Sequence, residues 1–395
     1  MKIYINGIPG ATLKQTDDGQ EFTYLDGYLQ LADAVPLSLA LPLDHEPYSN
    51  RSILPVLQSL ELDYNDKPYS SLGSVALAPE QICSFTDLDI NDCETKIKSQ
   101  LLAVPANKLL SIANYQPCLK ATIIDGEFYE ASPTEDNTHT LKCDLYDFED
   151  LVGNEIFVSL LAYNLGIPVP MISRIILGDI PALIIDRPDR LAPELTTDKI
   201  QKIHHETFVT ALSTQFSSSK RHYATLPENL FELIRTHALN PALDSRTLLR
   251  CITLCLLTGC DDFSLENQLI ELKPENNCRL SVLSGFVCSD IYENTTKNLL
   301  DYLFGIHHFA SLKQAHVSDL ARRIQVNDKY LINMILEYCV SLPKITREIF
   351  DAYPTIKSSV TLKIAKLIES RCSHLIKVLD KNEKSSKPRK IAVGE

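Results

Sequence analysis

Along the first 80 residues the apolar positions follow the short periods of strands and turns. Lys2-Ile3-Tyr4-Ile5-Asn6-Gly7 reads as a strand running into a turn, and Thr23-Tyr24-Leu25 before Gly27 as another. Residues 37–41 alternate apolar with small side chains between Pro36 and Pro42, the pattern of a half-buried or edge strand. Residues 53–62 carry apolar side chains at 53, 54, 56, 57, 60 and 62, spaced for a short amphipathic helix. Residues 71–79 close this part with a glycine turn and a strand. A small mixed module results, and the polar stretch from 80 to 96 predicts its boundary at residue 95.

From 96 to 190 the pattern is again strand-rich. Residues 121–124 and 127–129 flank Asp125-Gly126, a pair that supplies the positive φ angles of a tight hairpin. A strand at 138–143 and a helix at 155–165, stopped by Gly166, follow. Two more strands, 173–177 and 182–185, complete a lobe. Between 191 and 380 helical periods dominate, interrupted by one strand pair at 268–272 and 279–283. The tail from 381 to 395 carries five basic residues against two acidic ones and reads as a solvated terminus, with a polybasic contact as the alternative. The fold class is α+β: a strand-rich N-terminal part and a mostly helical C-terminal lobe.

Composition narrows the function classes. Of 395 residues, 38 are Lys or Arg and 51 are Asp or Glu, a net charge of −13. That balance argues against binding nucleic acid through the whole surface, which rests on basic side chains. No apolar run reaches the roughly 20 residues of a membrane span, and the N-terminus lacks the apolar core of a signal peptide. Eleven cysteines, an odd number with no C-x-x-C pair, support neither a disulfide framework nor a zinc site. The chain is expected in a reducing cytoplasm. His204-His205-Glu206 lacks the histidine spacing of a zinc helix, and no serine-hydrolase elbow or P-loop occurs.

Four residues stand where phosphoryl transfer needs them. Lys142 lies on a short strand, and Glu155, thirteen residues on, is expected to open the next helix and pair with it. Asp262 and Asn267 are five apart, the spacing of a catalytic loop whose Asp accepts the hydroxyl proton and whose Asn ligates Mg²⁺.

Five motifs in serial order resemble the HipA-type kinases of bacterial toxin–antitoxin modules. They are Pro36-Leu37-Ser38-Leu39-Ala40-Leu41-Pro42-Leu43; Leu72-Gly73-Ser74-Val75-Ala76-Leu77-Ala78-Pro79-Glu80; Ser111-Ile112-Ala113-Asn114-Tyr115-Gln116-Pro117; Asn154-Glu155 with Leu160-Leu161-Ala162 and Leu165-Gly166-Ile167; and Asp186-Arg187-Pro188-Asp189-Arg190. The resemblance implies a bilobal serine/threonine protein kinase fold, an ATP–Mg²⁺ site, a protein substrate, a toxin role and a DNA-binding HipB-like antitoxin as partner. It carries Lys142, Glu155, Asp262 and Asn267 onto the nucleotide lysine, helix glutamate, catalytic base and metal asparagine. It also places Ser111, Asn114 and Gln116 in the phosphate loop. Ser111 falls on the serine that the family autophosphorylates, with an ordinary loop hydroxyl as the alternative.

Departures from the family pattern are as informative. Asn114 replaces the loop glycine, and Cys118 stands at the loop lysine unless Lys120 takes that role. Glu266 occupies the basic position of the catalytic loop, and Gly285 the metal-binding aspartate's place, leaving Asp290 as the nearest substitute. Phosphoryl transfer depends on charge neutralisation. The alternative reading is therefore a pseudokinase that binds a HipB-like repressor or an active paralogue.

Overall fold

The computed structural model describes residues 1–17, 19–60, 73–77, 84–102, 112, 116–132, 137–145, 148–191, 200–213, 226–265, 267–293, 295 and 297–380. Ser111, Asn114, Glu266 and the basic tail lie outside these residues.

The N-terminal sheet comprises β1 (Lys2–Ile5), β2 (Ile8–Thr16), β3 (Gly19–Tyr24), β4 (Tyr48–Ser49) and β5 (Val75–Ala76), in the order β4-β3-β2-β1-β5 with antiparallel neighbours. A single turn, α1 (Asp26–Leu29), follows β3, and α2 (Asn50–Ser59) packs on β3. Ile3, Ile5, Phe22, Leu37, Leu41 and Ile53 share one buried cluster.

Residues 37–41 do not form the expected strand; they make a tight turn bridged between Ser38 and Leu41. Pro36 and Pro42 each lack an N–H, and side chains from elsewhere complete the bonding. The Tyr24 hydroxyl takes the Leu37 N–H at 2.8 Å and donates to the Leu41 carbonyl at 2.6 Å.

The second sheet joins β6 (Ser84–Asp87), β7 (Cys118–Ile124), β8 (Glu127–Ser132), β9 (His139–Cys143), β10 (Ile172–Leu177) and β11 (Ile180–Asp186) in the order β10-β11-β9-β7-β8-β6. Asp125 and Gly126 turn the β7–β8 hairpin with φ of 52° and 89°, as their chemistry predicts. Helix α3 (Ile90–Leu102) packs on β7 and β10, so β6 and α3 associate with this sheet although a boundary was expected at 95. Helix α4 (Leu151–Asn164) contacts β9 and β11.

After β12 (Arg190–Leu191) and β13 (Gln201–Lys202) the chain enters the helical lobe. There β14 (His205–Thr207), β15 (Leu269–Lys273) and β16 (Asn277–Leu280) form a small sheet among helices. These are α5 (Phe208–Ala211), α6 (Pro227–His237), α7 (Pro241–Thr258), α8 (Leu299–Phe304), α9 (Gln314–Arg323), α10 (Asp328–Ala352) and α11 (Ser359–Leu379). Helices α10 and α11 pack on each other and on both α4 and α7, which ties the helical lobe to the strand-rich one. Among the described residues the cysteines are free, and no helix is long and apolar enough to cross a membrane.

Candidate active site

Strand β9 lies between β11 and β7, and its alternation decides where Lys142 points. Leu141 and Cys143 join the buried cluster with Cys93 and Ile97 of α3. Lys142, between them, faces the other way. Its Nζ donates to Glu155 Oε1 at 2.9 Å. Glu155 is buried, and its Oε2 has no hydrogen-bond partner, whereas the lysine side chain keeps 24% exposure. An ammonium carries three donors, so this lysine is both held and able to meet a further anion. Cys118 of β7 is its cross-strand partner, and Lys120 lies opposite Thr140.

Glu155 does not open its helix as expected. The helix begins at Leu151 because Asp150, in the left-handed region at φ 51°, accepts the Gly153 N–H at 3.1 Å. A Cβ on residue 153 would collide with that carboxylate, so glycine is required for the cap. Glu155 therefore sits in the second turn, deep enough to be covered.

Asp262 follows the end of α7. Gly259, at φ 75°, terminates the helix, and the turn through Cys260-Asp261 presents a half-buried Asp262. Its N–H donates to Ser289 Oγ at 2.9 Å, and the Asp290 N–H donates to the Gly259 carbonyl at 3.1 Å. Segment 284–290 thus lies directly along the turn that carries Asp262. Gln268 adds a second tie: its amide donates to the Ser264 carbonyl at 3.1 Å and accepts the Ser284 N–H at 3.1 Å. Phe263 stacks on Phe286 with ring centroids 5.1 Å apart. On its other side the segment meets α4, where Asn154 exchanges two hydrogen bonds with the Cys288 backbone at 2.8 and 3.0 Å. The neighbours of Glu155 and of Asp262 are therefore bonded to one short stretch of chain.

Gly285 has φ 80°, and a Cβ there would meet open space. The left-handed backbone, not crowding, is what favours glycine at this position. Asp290 is turned elsewhere. Its Oδ2 receives Arg371 Nη2 at 2.7 Å and its Oδ1 faces Lys297 Nζ at 2.9 Å. Burial alone would raise its pKa, but Arg371 and then Lys297 outweigh that and hold it below the usual carboxylate value. Arg371 also lies 3.6 Å from Asp261 Oδ2, donates to the Leu256 carbonyl at 2.6 Å and covers the Phe309 ring at 4.4 Å. Neighbouring Asp261 is buried and its pKa is raised, chiefly by desolvation that Arg371 only partly offsets.

Of the remaining expected site residues, Asn267 is exposed just before β15. Gln116 is buried, and its amide nitrogen donates to the Cys143 carbonyl at 3.2 Å, which ties residue 116 to the end of β9. Sequence reasoning missed Arg371, Ser289 and Gln268. Only Arg371 left a signal: it interrupts the apolar stripe Ile364, Ile368, Cys372, Leu375 and Leu379 of α11.

The donor set can be tested against ATP and Mg²⁺. Lys142 fits a phosphate. The metal fits poorly, since Mg²⁺ calls for carboxylate oxygens in near-octahedral array, while Gly285 offers none and both oxygens of Asp290 already face cations. Among the described residues, no group of three or more His, Cys, Asp or Glu side chains is placed to hold a metal.

The hinge between the lobes is bound to the N-terminal module. Asp189 accepts the Gly73 N–H at 2.8 Å together with both Arg187 and Arg190. Burial opposes its charge, but Arg190 and Arg187 hold its pKa down to about 2. His204 contacts the Leu37 carbonyl at 2.9 Å, and burial lowers its pKa to about 4. Glu206 accepts the Ser38 hydroxyl at 2.6 Å and the Leu39 N–H at 2.8 Å; burial raises its pKa to about 8. The motif around residues 36–43 is therefore a docking turn.

With this geometry in place, the chain can be set beside known proteins. Residues 110–344 match the HipA-like C-terminal domain, and residues 1–64 match the HipA N-terminal domain. "Putative kinase Y4mE" of Sinorhizobium fredii is 26% identical over 284 residues, which span 61% of this chain and 66% of that relative. The chain thus aligns with just under two thirds of that relative's length. A solved structure, the Shewanella oneidensis toxin–antitoxin complex of HipA, HipB and operator DNA, shares 18% identity. It superposes with a TM-score of 0.79 over 97% of this chain and 99% of its own. These likenesses agree with the α+β lobes and with the motifs read along the sequence, and the chain belongs to the HipA family.

Proposed function

We propose that this protein is a HipA-type, kinase-fold component of a toxin–antitoxin module that binds ATP in the cleft beside Lys142 and engages a HipB-like DNA-binding antitoxin. The observation carrying the nucleotide part is the Lys142–Glu155 pair at 2.9 Å. A buried carboxylate fixes an ammonium that stays partly exposed, the arrangement that holds α- and β-phosphates in kinases. Asp262 is the base for a protein hydroxyl, and Ser111 the autophosphorylation site. Transfer runs far below that of a complete site, because the metal position is Gly285 and Asp290 is engaged by Arg371 and Lys297. The same observation favours a second reading, a pseudokinase that acts only through its partner.

The antitoxin part rests on family membership and on the HipA–HipB–DNA complex that the chain resembles in fold. It fits the net charge of −13, which leaves DNA contact to a basic partner. A thermal-shift titration of the full chain with ATP tests the nucleotide part. ATP is expected to raise the midpoint, and Lys142→Met to abolish the rise. An unresponsive wild type would overturn the nucleotide reading. Transfer of γ-labelled phosphate to Ser111, lost in Asp262→Asn, decides between the slow kinase and the pseudokinase.

A further inference from the structure

The metal ligands that a kinase draws from the segment after its catalytic hairpin are replaced here by a closed ionic cluster. Resting on the nucleotide reading above, we propose that Arg371 and Lys297 stand in for the divalent cation beside the catalytic turn, so that ATP binds without metal and α11 fixes residues 259–262.

Three sets of contacts carry this. First, segment 284–290 is the stretch from which a metal carboxylate would come, since it bonds to Asp262 through Ser289 and to α4 through Asn154, next to Glu155. Its one carboxylate, Asp290, is taken by two cations. Second, the cluster carries no surplus negative charge. Asp261 and Asp290 lie beside Arg371 and Lys297, two acids against two bases. A divalent cation gains nothing from entering a site of that charge.

Third, the guanidinium is built in. It is 4% exposed, donates to the Leu256 carbonyl in the last turn of α7, and lies over Phe309. An arginine held on a backbone carbonyl, a ring and a carboxylate is fixed, unlike a surface lysine free to swing away. Asp290 is bonded through its N–H to Gly259 and through its carboxylate to Arg371. Helix α11 therefore grips the turn that presents Asp262.

The test compares ATP binding to the full chain, by calorimetry, in Mg²⁺ and in EDTA. The expected dissociation constants agree within about threefold. Binding tighter in Mg²⁺ by more than that would overturn the proposal while leaving the nucleotide reading intact. No binding in either buffer would overturn both. Lys297 is at the surface, so Lys297→Met is expected to fold, to release Asp290 Oδ1 and to make ATP binding tighter in Mg²⁺ than in EDTA. A Lys297→Met protein as indifferent to Mg²⁺ as the wild type would show that this lysine is not the substituting cation, and would overturn its assignment.

Discussion

The two ionic groups of the candidate site are built on opposite terms. At Lys142–Glu155 one buried carboxylate meets one ammonium, and the ammonium keeps part of its surface and its spare donors. At Asp290 one partly buried carboxylate meets two cations, and the guanidinium is itself buried against a backbone carbonyl and an aromatic ring. The first arrangement is open to an anion. The second is complete without any ligand. The contrast separates an ammonium that can still meet an anion from a carboxylate whose two oxygens already face cations.

The comparison is broken most forcefully at Arg371. Arg371→Met leaves Asp261 and Asp290 with only Lys297 and strips a donor from the α7 carbonyl. A loss of about 3–5 kcal/mol is expected in urea unfolding, the cost of orphaning buried charge. Arg371→Lys keeps the charge without the planar fork and should fall between. Lys142→Met orphans the buried Glu155 carboxylate and should cost about as much as Arg371→Met, again about 3–5 kcal/mol, and it should also remove all ATP-induced stabilisation. If Lys142→Met left the ATP-induced stabilisation intact, the distinction between an open and a closed pair would fail.

Glu206 sharpens the comparison from a third side, since its two bonded partners are a hydroxyl and a backbone N–H. Burial lifts its pKa to about 8, above the model-peptide value of 4.5. Between those values the folded chain holds a proton that the unfolded chain has lost, so stability falls as pH rises from about 4.5 to 8. Below that window the stabilisation is fully present; above it the loss is complete. Glu206→Gln should flatten this part of the pH–stability curve while keeping the Leu39 bond and reversing the one with Ser38, whose hydroxyl would then accept. An unchanged slope would mean that the carboxyl ionises freely. His204, lowered to about 4, works in the opposite sense: its contribution is lost as pH falls from 6.5 toward 4. The two effects oppose each other between about pH 4.5 and 6.5, and from there to about pH 8 only that of Glu206 remains.

The elements that carry the candidate residues could be read before any fold was known. The β9 lysine, the α4 glutamate and the Asp262–Asn267 loop all stand on the expected elements, because strand alternation and helical periods are local properties. The misreadings were at contacts with distant chain. Residues 37–41 have the alternation of a strand, yet Tyr24 and Glu206 supply their bonding partners and make them a turn. Glu155 was expected at a helix end, but the left-handed cap at Asp150 lengthens the helix by one turn. Asp290 was the natural substitute for a missing metal ligand by distance along the chain, and only the position of α11, 81 residues further on, shows where its carboxylate is spent.

By itself the amino-acid sequence determined the succession of a strand-rich part and a helical part, the tight Asp125-Gly126 hairpin, the acidic charge balance and the motifs that mark the family. Each depends on residues within a few positions of one another or on totals over the chain. The Lys142–Glu155 pair was expected from its spacing, but tertiary structure alone decided how deeply it is buried and which cations Asp290 meets. Whether a carboxylate is an open anchor, a closed ion pair or a protonated acid depends on what is buried beside it. That neighbour comes from another element in every case here: α4 for Lys142, α11 for Asp290 and the N-terminal module for Glu206.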